Sequence, residues 1–125
     1  MTAPPPATHD ASTDAEPAFD PAAFDVLVLE IGQEGASEVR AVFKSETEAR
    51  LRLFREIAPD QQRRKIEREA HSLKSAAGSF GYRRLAALAR QLEKRAPDVT
   101  EVEYLHLLRH MDAAFASAMA QEAQR

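Results

Sequence analysis

Ile66-Glu67-Arg68-Glu69-Ala70-His71-Ser72-Leu73-Lys74-Ser75-Ala76-Ala77-Gly78-Ser79-Phe80-Gly81 is the stretch that decides the fold class. At about 100° per residue, Ile66, Ala70, Leu73, Ala77 and Phe80 fall on one face, the stripe of an amphipathic helix. Roughly opposite lie Arg64, Glu67, Arg68, His71, Lys74, Ser75 and Gly78. His71 therefore stands on the outward face of a helix whose other side is core. A lysine sits one turn on, and Ser72, Ser75 and Gly78 keep the neighbourhood small. Glycine inside a helix costs about 1 kcal/mol relative to alanine. On an exposed face packing gives no reason for it, so Gly78 reads as a place where something approaches the helix closely.

The same periodicity extends in both directions. Asp20-Pro21 supplies an N-cap and a proline at the first helical position, opening a first helix to about Ile31 with Phe24, Leu27, Val28 and Ile31 inward. A second helix is expected from near Ser37 to about Ile57, with Val39, Val42, Phe43, Leu53, Phe54 and Ile57 inward. Pro59-Asp60 starts the helix of His71, and Gly81 is its stop after Phe80. A fourth helix runs from about Tyr82 to Ala96 on Leu85, Leu88, Ala89 and Leu92, and Pro97 ends it. Thr100 with Glu103 is a capping box that opens a last helix to about Ala123, with Leu105, Leu108, Met111 (or Phe115) and Met119 inward. No stretch alternates with period 2. The expected architecture is all-α: an up-and-down four-helix bundle with a short additional N-terminal helix.

Residues 1–20 read differently. They hold four of the seven prolines and Asp10, Asp14, Glu16 and Asp20, without a lysine or arginine. Such a stretch buries too little apolar surface to offset its ordering entropy, so residues 1–20 are expected to be a disordered acidic tail and residues 21–125 the bundle. His9 falls in the tail.

Composition excludes several function classes. With 125 residues the chain is one domain, 44% hydrophobic and 30% charged. Its formal charge of −3 is too balanced for a histone-like nucleic-acid binder, and recognition motifs and aromatics are scarce. The absence of cysteine removes disulfides, thiol catalysis and Cys-based zinc sites. No apolar run approaches the ~18 residues of a membrane span, and the start lacks the regions of a signal peptide, so a cytoplasmic location is expected. His106 and His110 stand one turn apart, but no third ligand completes a metal motif, so no metal site is expected. Charge is nonetheless uneven. Residues 61–95 carry ten basic side chains against Glu67, Glu69 and Glu93, a local excess of +7. The surroundings of His71 should suit an acidic protein surface or a phosphoryl group.

Ala70-His71-Ser72-Leu73-Lys74-Ser75-Ala76-Ala77, followed by Gly81, Leu85, Leu88 and Leu92-Glu93, resembles the histidine-phosphotransfer (HPt) domain family of bacterial two-component phosphorelays. The likeness covers roughly residues 22–120 in helix order and length, and residues 70–93 carry its diagnostic part. It implies that His71 is the phosphoacceptor, that Lys74 assists the phosphoryl group and that Glu93 orients the imidazole. Arg64, Glu67, Arg68, Ser75 and Gly78 would line the docking face. In the family the position after the lysine is often glycine; Ser75 stands there and is still small. The implied partners are receiver domains of response regulators and a hybrid sensor histidine kinase. No cofactor is implied for this chain, and Mg²⁺ is expected on the receiver. A neutral imidazole suits the role, since its unprotonated nitrogen can attack phosphorus in line.

Two other classes compete with a carrier. A catalytically silent adaptor would keep the docking face and leave the histidine unused. A self-sufficient kinase would need an ATP-binding motif, and no Gly-rich loop is present. One closed core and one polar face lead us to expect a monomer.

Overall fold

The computed structural model describes residues 15–125. Among the described residues four helices follow in order: α1 (Pro21–Glu56), α2 (Arg63–Ser79), α3 (Arg83–Arg95) and α4 (Glu101–Ala123). No strand occurs among the described residues, and none of their helices is long and apolar enough to cross a membrane. His9, Asp10 and Asp14 lie outside the described residues.

α1 begins as expected, with the Asp20 carboxylate accepting from the Ala22 N–H and Pro21 in the first turn. It is broken at Gly32, whose φ of 84° and ψ of 165° no helix contains. The break reverses the chain. Residues sixteen apart in a straight helix are separated by about 24 Å, yet the Arg40 guanidinium lies 4.0 Å over the Phe24 ring. The short N-terminal helix expected up to Ile31 is therefore the first arm of a helical hairpin, and the second arm joins α2, α3 and α4 in the bundle.

The core is the sum of four stripes. α1 contributes Phe43, Leu51 and Phe54, α2 Ile66, Ala70, Leu73 and Ala77, α3 Leu85, Leu88, Ala89 and Leu92, and α4 Tyr104, Leu107, Met111 and Phe115. Stacked against Phe80, Phe43 fixes the height of α1 on α2; the ring centroids are 4.5 Å apart.

Four inward assignments need correction. Val39 and Val42 are exposed, because the buried stripe of α1 runs through Ala36, Phe43, Thr47, Leu51 and Phe54, one position away. Thr47 is polar, which hid this register in the sequence. Ile31 is exposed beside the Gly32 break. Leu105 is exposed because Tyr104 takes the inward place, its hydroxyl donating to the Phe54 carbonyl at 2.6 Å.

The boundary of the expected tail also moves. Ala18 and Phe19 are buried, and Phe19 meets Tyr82 edge-on at 5.9 Å. The Asp20 N–H donates to the Gly81 carbonyl at 2.7 Å and the Arg84 N–H to the Pro17 carbonyl at 3.1 Å. Residues 17–20 thus form a strap over the α2–α3 turn, which an acidic, proline-rich composition does not reveal.

That turn is a glycine-dependent stop. Gly81 has φ 77°, its N–H donates to Gly78, and the Tyr82 N–H reaches back to Ala77 at 2.9 Å, closing a Schellman arrangement. It sets α3 antiparallel to α2 at close range, the placement on which the site depends. At the far end Arg63 donates to the carbonyls of Ala96 and Val99, both at 3.0 Å, tying the start of α2 to the end of α3. Thr100 and Glu103 form the capping box of α4.

Candidate functional site

His71 projects from the middle of α2, with 60% of its side chain exposed. Directly below it on the sequence, Ala70 and Leu73 are fully buried. The helix is therefore anchored by its core face and cannot rotate the imidazole away.

The neighbouring helix supplies Glu93. One of its carboxylate oxygens, Oε2, lies 2.5 Å from His71 Nδ1, and the other, Oε1, accepts from Lys74 Nζ at 2.7 Å. With Nδ1 protonated and donating to the carboxylate, the Nε2 lone pair is left free on the solvent side. The Lys74 hydrogen bond is the main influence holding the Glu93 carboxyl below its ordinary pKa of 4.5; desolvation opposes it, and the hydrogen bond with His71 adds to it. Glu93 is thus kept ionised and acceptor-only at neutral pH.

All five residues expected on the docking face, Arg64, Glu67, Arg68, Ser75 and Gly78, are exposed along α2. Arg64, Glu67 and Arg68 have no ion-pair partner among the described residues. Open space surrounds Gly78: a Cβ placed there meets nothing within 4 Å. By contrast, Glu69 is drawn to the other flank by Arg50 at 2.9 Å. His106 and His110 are exposed on α4, outside this site, and no group of three or more His, Cys, Asp or Glu among the described residues is arranged to hold a metal.

Sequence reasoning missed one relation. It set Lys74 toward a phosphoryl group, whereas in this state the ammonium is held by Glu93. The signal was available in the antiparallel turn at Gly81, which brings residue 93 level with both 71 and 74. Reading it required the side-chain directions that only packing fixes.

The bundle thus presents an outward histidine whose Nδ1 is held by a carboxylate and whose Nε2 is open. The Hpt domain family model matches residues 38–124, over two thirds of the chain, and the chain belongs to that family. Hpt domains act in two-component phosphorelays together with receiver domains and kinases. Neither a curated protein nor a solved structure matches the chain.

Removing the lysine tests the role expected of it. Lys74→Ala should slow phosphoryl transfer about tenfold or more at saturating partner while changing partner affinity less than about threefold. Loss of binding at an unchanged rate would contradict the role. The same variant should raise the Glu93 titration toward its ordinary range, read by carboxyl NMR. Because that pKa is depressed in the folded chain, Glu93's contribution to stability is complete at neutral pH and is lost as pH falls below about 4.5 and through the folded value.

Proposed function

We propose that the protein is a phosphohistidine carrier that moves a phosphoryl group on His71 between receiver-domain aspartates, and that it is not itself a kinase. The observation that carries this reading is the Glu93–His71 contact, which leaves Nε2 outward on an uncluttered helix face. In the forward step the Nε2 lone pair attacks phosphorus, the P–O bond to the receiver aspartate breaks, and the carboxylate leaves with the bonding pair. The ring becomes a phosphoimidazolium whose Nδ1–H still donates to the Glu93 carboxylate, which stabilises the charge that develops. Return transfer reverses each bond change. Lys74, one turn on, neutralises the phosphoryl oxygens by turning from Glu93. The expected partners are receivers and a hybrid sensor kinase, with Mg²⁺ held on the receiver side.

The test is incubation with receiver domains charged by acetyl phosphate, followed by mass spectrometry. Acid-labile, base-stable phosphate on His71 supports the carrier. Binding of a charged receiver without labelling would make the protein a silent adaptor.

Gly78 distinguishes docking from chemistry. Gly78→Ala should stabilise the bundle by up to about 1 kcal/mol and cost little transfer, since its Cβ enters open space. Gly78→Arg should stay folded and block transfer from a receiver sterically. An unfolded arginine variant would mean the position is not open, and normal transfer would mean the partner docks elsewhere. Thermal unfolding and receiver-dependent labelling read the two effects.

A further inference from the structure

Between α2 and α3 runs an open groove of about 530 Å³, floored by Gly78, Ala86 and Ala87. Its two ends differ in charge. Lys74 and Arg90 stand at the end beside the His71–Glu93 pair. α3 runs antiparallel to α2, so Arg90, about one turn before Glu93, comes level with Lys74. At the other end the Arg83 guanidinium lies 3.1 Å from Glu16 and 3.6 Å from Asp20, and its charge is neutralised within the chain. Lys74 is likewise paired, with Glu93. Arg90 is exposed and has no hydrogen-bond or ion-pair partner among the described residues. Among the described residues the uncompensated positive charge of the groove is therefore Arg90, placed at the end nearest the histidine.

We infer that Arg90 is a specificity-determining docking residue of this carrier. The groove takes a segment of the receiver domain that is small or apolar over Gly78, Ala86 and Ala87 and bears a carboxylate where it passes Arg90. A planar guanidinium matches a carboxylate with two parallel hydrogen bonds, and the polarity of the groove fixes which way the segment lies. This rests on the reading of His71 as acceptor from a receiver, and adds the flank from which the receiver approaches. The docking residues expected from the sequence lie on α2 alone; Arg90 belongs to α3.

The test compares Arg90→Gln with Arg83→Gln, which removes the same formal charge two turns away on the same helix. Both are assayed with the receiver that charges the wild-type chain fastest in a panel pre-charged with acetyl phosphate. Arg90→Gln should raise KM for the charged receiver about tenfold with kcat held within about twofold, as expected for a rim charge pair. Arg83→Gln should change KM less than about twofold. Added salt should weaken the wild-type interaction more than that of Arg90→Gln. Equal KM increases in the two variants would reduce the effect to bulk charge and overturn the inference. An unchanged Arg90→Gln would place the partner over the Arg68–Ser75 flank, and a fall in kcat alone would make Arg90 part of the chemistry; each overturns the inference while leaving His71 as acceptor. A panel in which no receiver labels the wild-type chain overturns the carrier reading, and this inference with it.

Discussion

His71→Gln should abolish phosphoryl uptake while leaving the bundle intact. The side chain is largely exposed, and the helix is held by Ile66, Ala70, Leu73 and Ala77 on its opposite face. Nothing in the core changes, so the melting temperature should stay within about 2 °C of wild type, as for a surface substitution. Glutamine can still reach the Glu93 carboxylate through its amide N–H but offers no nucleophilic nitrogen, since an amide lone pair is delocalised. Uptake from a charged receiver should fall at least about a hundredfold, because no positioning compensates for a missing nucleophile. Intact-mass spectrometry after receiver incubation reads the result. Retained uptake, or label mapped to His9, His106 or His110, would overturn the assignment.

Gly81→Ala should be the most damaging single methyl in the protein. At φ 77° an L-residue sits in the left-handed region, which costs about 1–2 kcal/mol. Its Cβ would also stand 2.1 Å from the Asp20 carbonyl oxygen and 3.2 Å from Ala23 Cβ. Either the α2–α3 turn or the strap must move, and moving the strap weakens the Asp20–Gly81 hydrogen bond and the burial of Phe19. With overpacking of 1–3 kcal/mol added, the loss should be about 3 kcal/mol or more, a drop on the order of 10–20 °C in melting temperature. The contrast with Gly78→Ala, three residues earlier and stabilising, makes the pair diagnostic. A Gly81→Ala protein within about 1 kcal/mol of wild type would show that the strap does not clamp the turn.

The amino-acid pattern by itself determined the class. The stripe Ile66-Ala70-Leu73-Ala77 and its counterpart Leu85-Leu88-Ala89-Leu92 admit only amphipathic helices, and Gly81 and the Thr100–Glu103 box punctuate them. His71 and Lys74 were legible as candidates because helical spacing fixes which residues share an outward face, whereas Glu93, on another helix, was reached only through the family resemblance. What spacing leaves open is rotation and mutual height between helices. A stripe can turn by one residue without changing its hydrophobicity, which is why Val42 and Leu105 proved exposed while Thr47 and Tyr104 went in. Composition also says nothing about a short apolar pair such as Ala18-Phe19 finding a pocket in an otherwise acidic segment. Only the tertiary structure could place one Glu93 oxygen on His71 and the other on Lys74, or leave Arg90 without a partner among the described residues while Arg83 is neutralised. Those relations depend on a few ångströms between side chains from different helices, and packing around the Gly81 turn sets them.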